Sequence, residues 1–175
     1  KTTIISLKRT NIFRCNISIQ PRATVVPVHS CTPTTVVSLH PNVSDTKVGL
    51  GLMLSGSETN VEVLKCAVKK CGNTGMHVDD GATVTATQCE FIENGNCGVF
   101  CRGATTKARF NNCTMHHNEG RGLYAMVGPV VDLHGTKTDI HSNKTTGIHA
   151  SHNAKVNIHL PSQHNTSHDN SYINS

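Results

Sequence analysis

Cys66-Ala-Val-Lys-Lys-Cys-Gly-Asn-Thr-Gly75 returns as Cys89-Glu-Phe-Ile-Glu-Asn-Gly-Asn-Cys-Gly98, as Cys113-Thr-Met-His-His-Asn-Glu-Gly-Arg-Gly122 and as Thr138-Asp-Ile-His-Ser-Asn-Lys-Thr-Thr-Gly147. The rows align without a gap. The glycines Gly51, Gly75, Gly98, Gly122 and Gly147 are spaced 24, 23, 24 and 25 apart. A fixed period of that length is the mark of stacked structural units, each burying its apolar side only against its neighbours.

Within each unit three short alternating runs are readable. The first follows the glycine: Met76-His-Val78, Val99-Phe-Cys101, Leu123-Tyr-Ala125 and Ile148-His-Ala150. Its outer members point inward and its middle one outward, because successive strand side chains alternate faces. The second run precedes the cysteine and carries the inward pairs Val61/Val63, Val84/Ala86, Ala108/Phe110, Val131/Leu133 and Val156/Ile158. The third starts at the cysteine, with inward Cys66/Val68, Cys89/Phe91, Cys113/Met115 and Thr138/Ile140. Three strands per unit, each in register with the next unit, describe an all-β, right-handed parallel β-helix, a solenoid of 23–25-residue coils. About five to seven coils fit the length.

Residues 51–162 hold these regular coils, and 163–175 read as a partial last coil or tail. Residues 1–50 read as irregular β-rich coils or a cap. There the runs Thr3–Leu7, Asn16–Gln20, Ala23–Val26 and Thr35–Leu39 are broken by Pro21, Pro27, Pro33 and Pro41.

Composition fits thin stacked layers. Of 175 residues only 3% are aromatic and none is Trp, so Val, Ile, Leu, Ala, Met and Cys must make the core. The net charge of +5 is diffuse, with Lys8, Arg9, Arg14 and Arg22 in the first segment, and no basic face interleaved with aromatics points to nucleic acid. No apolar run approaches the roughly 20 residues of a membrane span, so no membrane partner is expected. Localisation stays open. Three of the eight cysteines share one repeat position, which favours a column of free thiols over a disulfide framework.

The fifth position after the cysteine holds Cys71, Asn94, Asn118 and Asn143. Stacked about 4.8 Å apart, each amide can bond its copy in the next coil while the backbone turns a corner. This ladder resembles that of the right-handed parallel β-helix superfamily, which includes pectate lyases, polygalacturonases and shorter repeats in some F-box proteins. Val131–Asn143 and Val156–Asn170 are also similar to β-helix-repeat proteins of unicellular algae. The resemblance covers residues 51 to 165 and implies a fold without implying a reaction.

Outward positions supply the candidate sites. His77, Phe100, Tyr124 and His149 form a row of rings, suited to gripping sugars along an extended track; the plainer reading is that stacked rings stabilise adjacent strands. Beside it run Thr85, Arg109, Asp132 and Asn157, then Thr87, Asn111, His134 and His159, with Arg109 and Asp132 able to pair across coils. For catalysis the weak candidates are Asp79 and Asp80. His77-Val-Asp-Asp-Gly81 resembles the paired aspartates of polygalacturonases and His134-Gly135 their His-Gly, but the accompanying Asn-x-Asp and Arg-x-Lys are absent. The pairs His116/His141 and His134/His159 offer two imidazoles each, short of a metal centre's three or four ligands, so no metal or cofactor is expected. The expectation is a non-catalytic binding or scaffold module for a polysaccharide or protein partner, able to oligomerise through an open end. The alternative is a carbohydrate-active enzyme, or a fragment of one, working near Asp79 and Asp80.

Overall fold

The computed structural model describes residues 49–161 and 163–172, together with the backbone of three strands nearer the N-terminus. Those three are β1 (Ile4–Leu7), β2 (Ile17–Ile19) and β3 (Thr35–Leu39). The next coil runs β4 (Leu52–Ser55), β5 (Asn60–Leu64), β6 (Ala67–Lys69), and the one after it β7 (Met76–Asp79), β8 (Thr83–Thr87), β9 (Glu90–Ile92). Then come β10 (Val99–Arg102), β11 (Lys107–Asn111), β12 (Thr114–His116) and β13 (Leu123–Met126), β14 (Val130–His134), β15 (Asp139–His141). The last described coil is β16 (Ile148–Ser151), β17 (Lys155–His159), β18 (Ser167–His168).

Strands of the same rank stack into three parallel sheets, of order β1-β3-β5-β8-β11-β14-β17, β2-β4-β7-β10-β13-β16 and β6-β9-β12-β15-β18. Register is strict: Phe100 faces His77 on one side and Tyr124 on the other. The solenoid of about 24 residues per turn is the architecture read from the repeat. In the first 50 residues, β1 and β3 extend the seven-stranded sheet and β2 the six-stranded one. The expected run Ala23–Val26 lies outside the described residues.

The alternation that suggested the strands is the burial pattern. Every second residue of β5, β8, β11 and β14 is buried, and the stack is filled by Phe91, Phe110, Leu52, Leu54, Met76, Met115, Leu123, Leu133 and Ile140. A pair of coils encloses little on its own; the apolar interior exists only because successive coils cover one another. Coverage also explains why the last inward pair is the least enclosed, with Val156 only half-buried. Ile158 occupies an inward register position yet is 50% exposed, because β17 is the edge strand of its sheet among the described residues.

The ladder occupies the corner between the five-stranded and six-stranded sheets. Asn94, Asn118 and Asn143 each donate one Nδ2 proton to the Oδ1 of the next rung at 2.9 Å, and the chain of rungs ends on Asn170. A second Nδ2 bond reaches back to a carbonyl of the preceding coil: Val68, Phe91 and Met115 respectively. Each Oδ1 also accepts the backbone N–H of the rung below, from Cys71 N to Asn94 Oδ1 at 3.1 Å upward. Asn170 is a rung that spacing alone does not reveal, since it lies 27 residues beyond Asn143 in a longer coil. The repeat glycines answer to the same ladder. A Cβ at Gly98 would stand 2.9 Å from Asn118 Nδ2 and 2.8 Å from the Gly122 carbonyl oxygen, closer than real Cβ atoms come.

The other cysteine-bearing corner joins the seven-stranded and five-stranded sheets. Cys66, Cys89 and Cys113 stack there, with Thr138 continuing the column, and all are buried. No disulfide joins any two of the six described cysteines, as the repeat position suggested. Burial pushes the Cys101 and Cys97 thiols up, and the hydrogen bond with Cys89 followed by burial does the same to Cys113.

Candidate functional site

Everything inward is committed to the stack, so chemistry is left to the outward rows. On the six-stranded sheet, β7, β10, β13 and β16 place His77, Phe100, Tyr124 and His149 side by side, all half-buried. Ring centroids are 4.7 Å apart for His77–Phe100, 5.0 Å for Phe100–Tyr124 and 5.1 Å for Tyr124–His149. Phe100 and Tyr124 stack at 22°, whereas His77 and His149 turn out of that stack by 44° and 72°. The facing planes of Phe100 and Tyr124 contact each other, and Arg121 lies 4.4 Å over the Tyr124 ring. The row is therefore an apolar ridge, with Met53 of β4 as its next member in register.

Two residues along the same strands lies a charged row. Asp79 sits 3.6 Å from His77 Nε2 and 4.0 Å from Arg102, and Asp80 accepts a 2.9 Å hydrogen bond from Ser55. The backbone N–H of Asp80 donates to Asp79 Oδ1 at 2.7 Å. Burial lowers the His77 pKa, against the opposing pull of Asp79. Sequence reasoning named His77 in the ring row and Asp79 with Asp80 as a pair in the same short motif; it missed Arg102, whose signal was its place one coil beyond Asp79 on the same outward row.

On the seven-stranded sheet, Arg109 and Asp132 do pair across coils, at 3.9 Å. Asp132 also accepts from Asn157 at 2.9 Å and lies 3.1 Å from His159 Nε2, and the Asn157 bond is the main cause of its lowered pKa. His134 and His159 stack at 4.2 Å and 4°. Burial holds the His134 pKa down, helped by His159 and Arg109.

The five-stranded sheet carries a third row. His116 and His141 stack at 4.8 Å as expected, and His168 extends the stack at 5.2 Å. Carboxylates flank it: Glu90 is 3.0 Å from His116, and Asp139 is 3.0 Å from His168. Like Asn170, His168 escaped the period because the last coil is longer.

Stacked coils with three parallel sheets and an internal amide ladder define a parallel β-solenoid. The chain belongs to the right-handed β-helix family: the family profile described as right handed beta helix region matches residues 3–171. Comparison with curated proteins and with solved structures gave no match. Among the described residues no helix is long and apolar enough to cross a membrane.

Proposed function

We propose that this β-helix is a non-catalytic binding module whose ligand is a carbohydrate polymer lying along the six-stranded sheet. The observation that carries the reading is the ring row: His77, Phe100, Tyr124 and His149 repeat once per coil at 4.7–5.1 Å on the outward face. A periodic ridge meets a periodic ligand at every coil, so weak apolar contacts add along its length. Arg102, exposed beside the ridge and 4.0 Å from Asp79, supplies hydrogen-bond donors that fix orientation on a sugar. Charged groups here are already paired with one another, and the short connections between strands raise no wall around them, which favours holding a chain over cleaving it.

Binding is tested on a glycan array followed by calorimetry with the best polysaccharide found. Tyr124→Ala is expected to weaken binding by about 1–2 kcal/mol with the fold intact, because it removes a central segment of the ridge. Asp79→Asn and Asp80→Asn are expected to change little. The enzyme alternative predicts the reverse: release of reducing ends or unsaturated products from pectins or alginates, lost on changing either aspartate and indifferent to Tyr124.

A further inference from the structure

The seven-stranded sheet carries a second site, independent of the ring ridge on the six-stranded sheet. We infer that Asp132, His134 and His159 form a binding site for one divalent transition-metal ion of the zinc type. Their ligand atoms, one per residue, all lie within 4.8 Å of one another. Strand geometry assembles them: Asp132 and His134 are two residues apart on the outward face of β14, and His159 is the register partner of His134 on β17. A third ligand thus joins an imidazole pair that, alone, is too few.

Two observations mark the cluster as more than an ordinary strand surface. His134 Nε2 is shut off from solvent and has no hydrogen-bond partner, a costly condition that a metal ion would relieve. The carboxylate is already oriented, since Asn157 donates to Asp132 Oδ1 at 2.9 Å, which is the role outer partners take around metal ligands. Two imidazole nitrogens and a carboxylate oxygen suit a borderline ion such as Zn²⁺ better than a hard cation such as Ca²⁺ or Mg²⁺. Three protein ligands would leave a fourth tetrahedral position open to water.

The stacked rings must move to receive the ion. Their planes are 4° from parallel with centroids 4.2 Å apart, so the ring edges run side by side, and His159 Nε2, which donates to Asp132 Oδ1 at 3.1 Å, must exchange that proton for the ion. In a tetrahedral site with bonds of about 2.0–2.1 Å the donor nitrogens stand roughly 3.3–3.5 Å apart and converge. A modest turn of the more exposed His159 ring accomplishes this. Arg109, 3.9 Å from Asp132, opposes the ion by its charge. That opposition gives the test an arm of opposite sign.

Tag-free full chain is titrated with Zn²⁺ against a chromophoric chelator at pH 7.5, and Co²⁺ is used to read coordination from its visible absorption. Expected are one equivalent bound, an intense four-coordinate Co²⁺ spectrum, and at least tenfold weaker binding in His134→Ala, His159→Ala and Asp132→Asn. Arg109→Ala should tighten binding severalfold, a gain that no unfolding artefact produces. His116→Ala and His141→Ala, in the other histidine row, should leave this equivalent untouched. Unchanged Zn²⁺ affinity in His134→Ala, loss confined to the His116 and His141 variants, or no Zn²⁺ binding below millimolar concentration would overturn the site.

Discussion

The two corners that border the five-stranded sheet are wired alike and differ in what the wires are made of. At the ladder corner, Asn94 Nδ2 donates back to the Val68 carbonyl, and Asn118 Oδ1 accepts the Asn94 backbone N–H at 3.1 Å. At the cysteine corner, Cys89 Sγ donates back to the Val63 carbonyl at 3.3 Å, and Cys113 Sγ accepts the Cys89 backbone N–H at 3.5 Å. Both corners are entered through a non-glycine residue with positive φ: Glu93 at 53° before Asn94, Gln88 at 54° before Cys89. Backbone shape therefore does not select asparagine. The amide differs in having a second strong donor to pass to the next coil, and only the ladder corner strings its side chains into a continuous chain of 2.9 Å bonds. A thiol, a weak donor and weak acceptor, satisfies the same backbone groups more loosely.

The sharpest way to break the comparison is Asn118→Leu. The change leaves Asn94 without the acceptor for its backbone N–H and its Nδ2, and strips the Phe91 carbonyl of its donor, all in a dry interior. Several orphaned buried groups at about 1–3 kcal/mol each predict a loss of about 3 kcal/mol or more, measured by urea or thermal melts. An unchanged melting temperature would show that the ladder only accompanies the fold. Gly98→Ala attacks the same corner from the outside by pressing a methyl against Asn118 Nδ2, and is expected to cost about 1–3 kcal/mol.

Both corners were legible in the sequence because burial enforces their period. An inward residue has copies above and below, so Asn94, Asn118 and Asn143 and Cys66, Cys89 and Cys113 had to recur in register. Outward residues obey no such constraint, and there the reading thinned. The ring row was readable as a row, but not the contact between the planes of Phe100 and Tyr124, which depends on rotamers. Asp132 was placed in one column and His134 and His159 in the next, although residues two apart on a strand share a face. Arg102 and Asp79 face one another only once the coils are stacked. Asn170 and His168 were lost for a different reason: a longer last coil shifts both by the same interval, 27 residues from Asn143 and from His141.

The cysteine corner should yield more gently. Cys89→Ala removes one buried sulfur and its weak bonds to the Val63 and Thr87 carbonyls, and is expected to cost about 1–2 kcal/mol, well below Asn118→Leu. Thr138, which fills the same column and donates to the His134 carbonyl, shows that this place accepts a side chain that is not a thiol. Residue-resolved mass spectrometry after iodoacetamide treatment should find Cys66, Cys89 and Cys113 unmodified in the folded protein and modified after unfolding. A bridge between any two of them under non-reducing conditions would replace the thiol column with a covalent one and end the parallel with the ladder.

The smallest effect tests what the corners share. A side chain at positive φ brings its Cβ against the neighbouring carbonyl, and glycine removes that cost. Gln88 and Glu93 are both exposed, with φ of 54° and 53°, so neither packs into the core and each substitution reads the backbone directly. Gln88→Gly should raise stability by about 0.5–1 kcal/mol, what remains after glycine's greater freedom in the unfolded chain is subtracted. Glu93→Gly should gain slightly less, because Glu93 forfeits its exposed ion pair with Lys70 at 3.7 Å, and such pairs contribute under about 1 kcal/mol. Melting in high salt screens that pair and should bring the two gains together. If Gln88→Gly stabilises and Glu93→Gly destabilises even in high salt, the corners are not the same turn, and the asparagine is then selected by backbone shape after all.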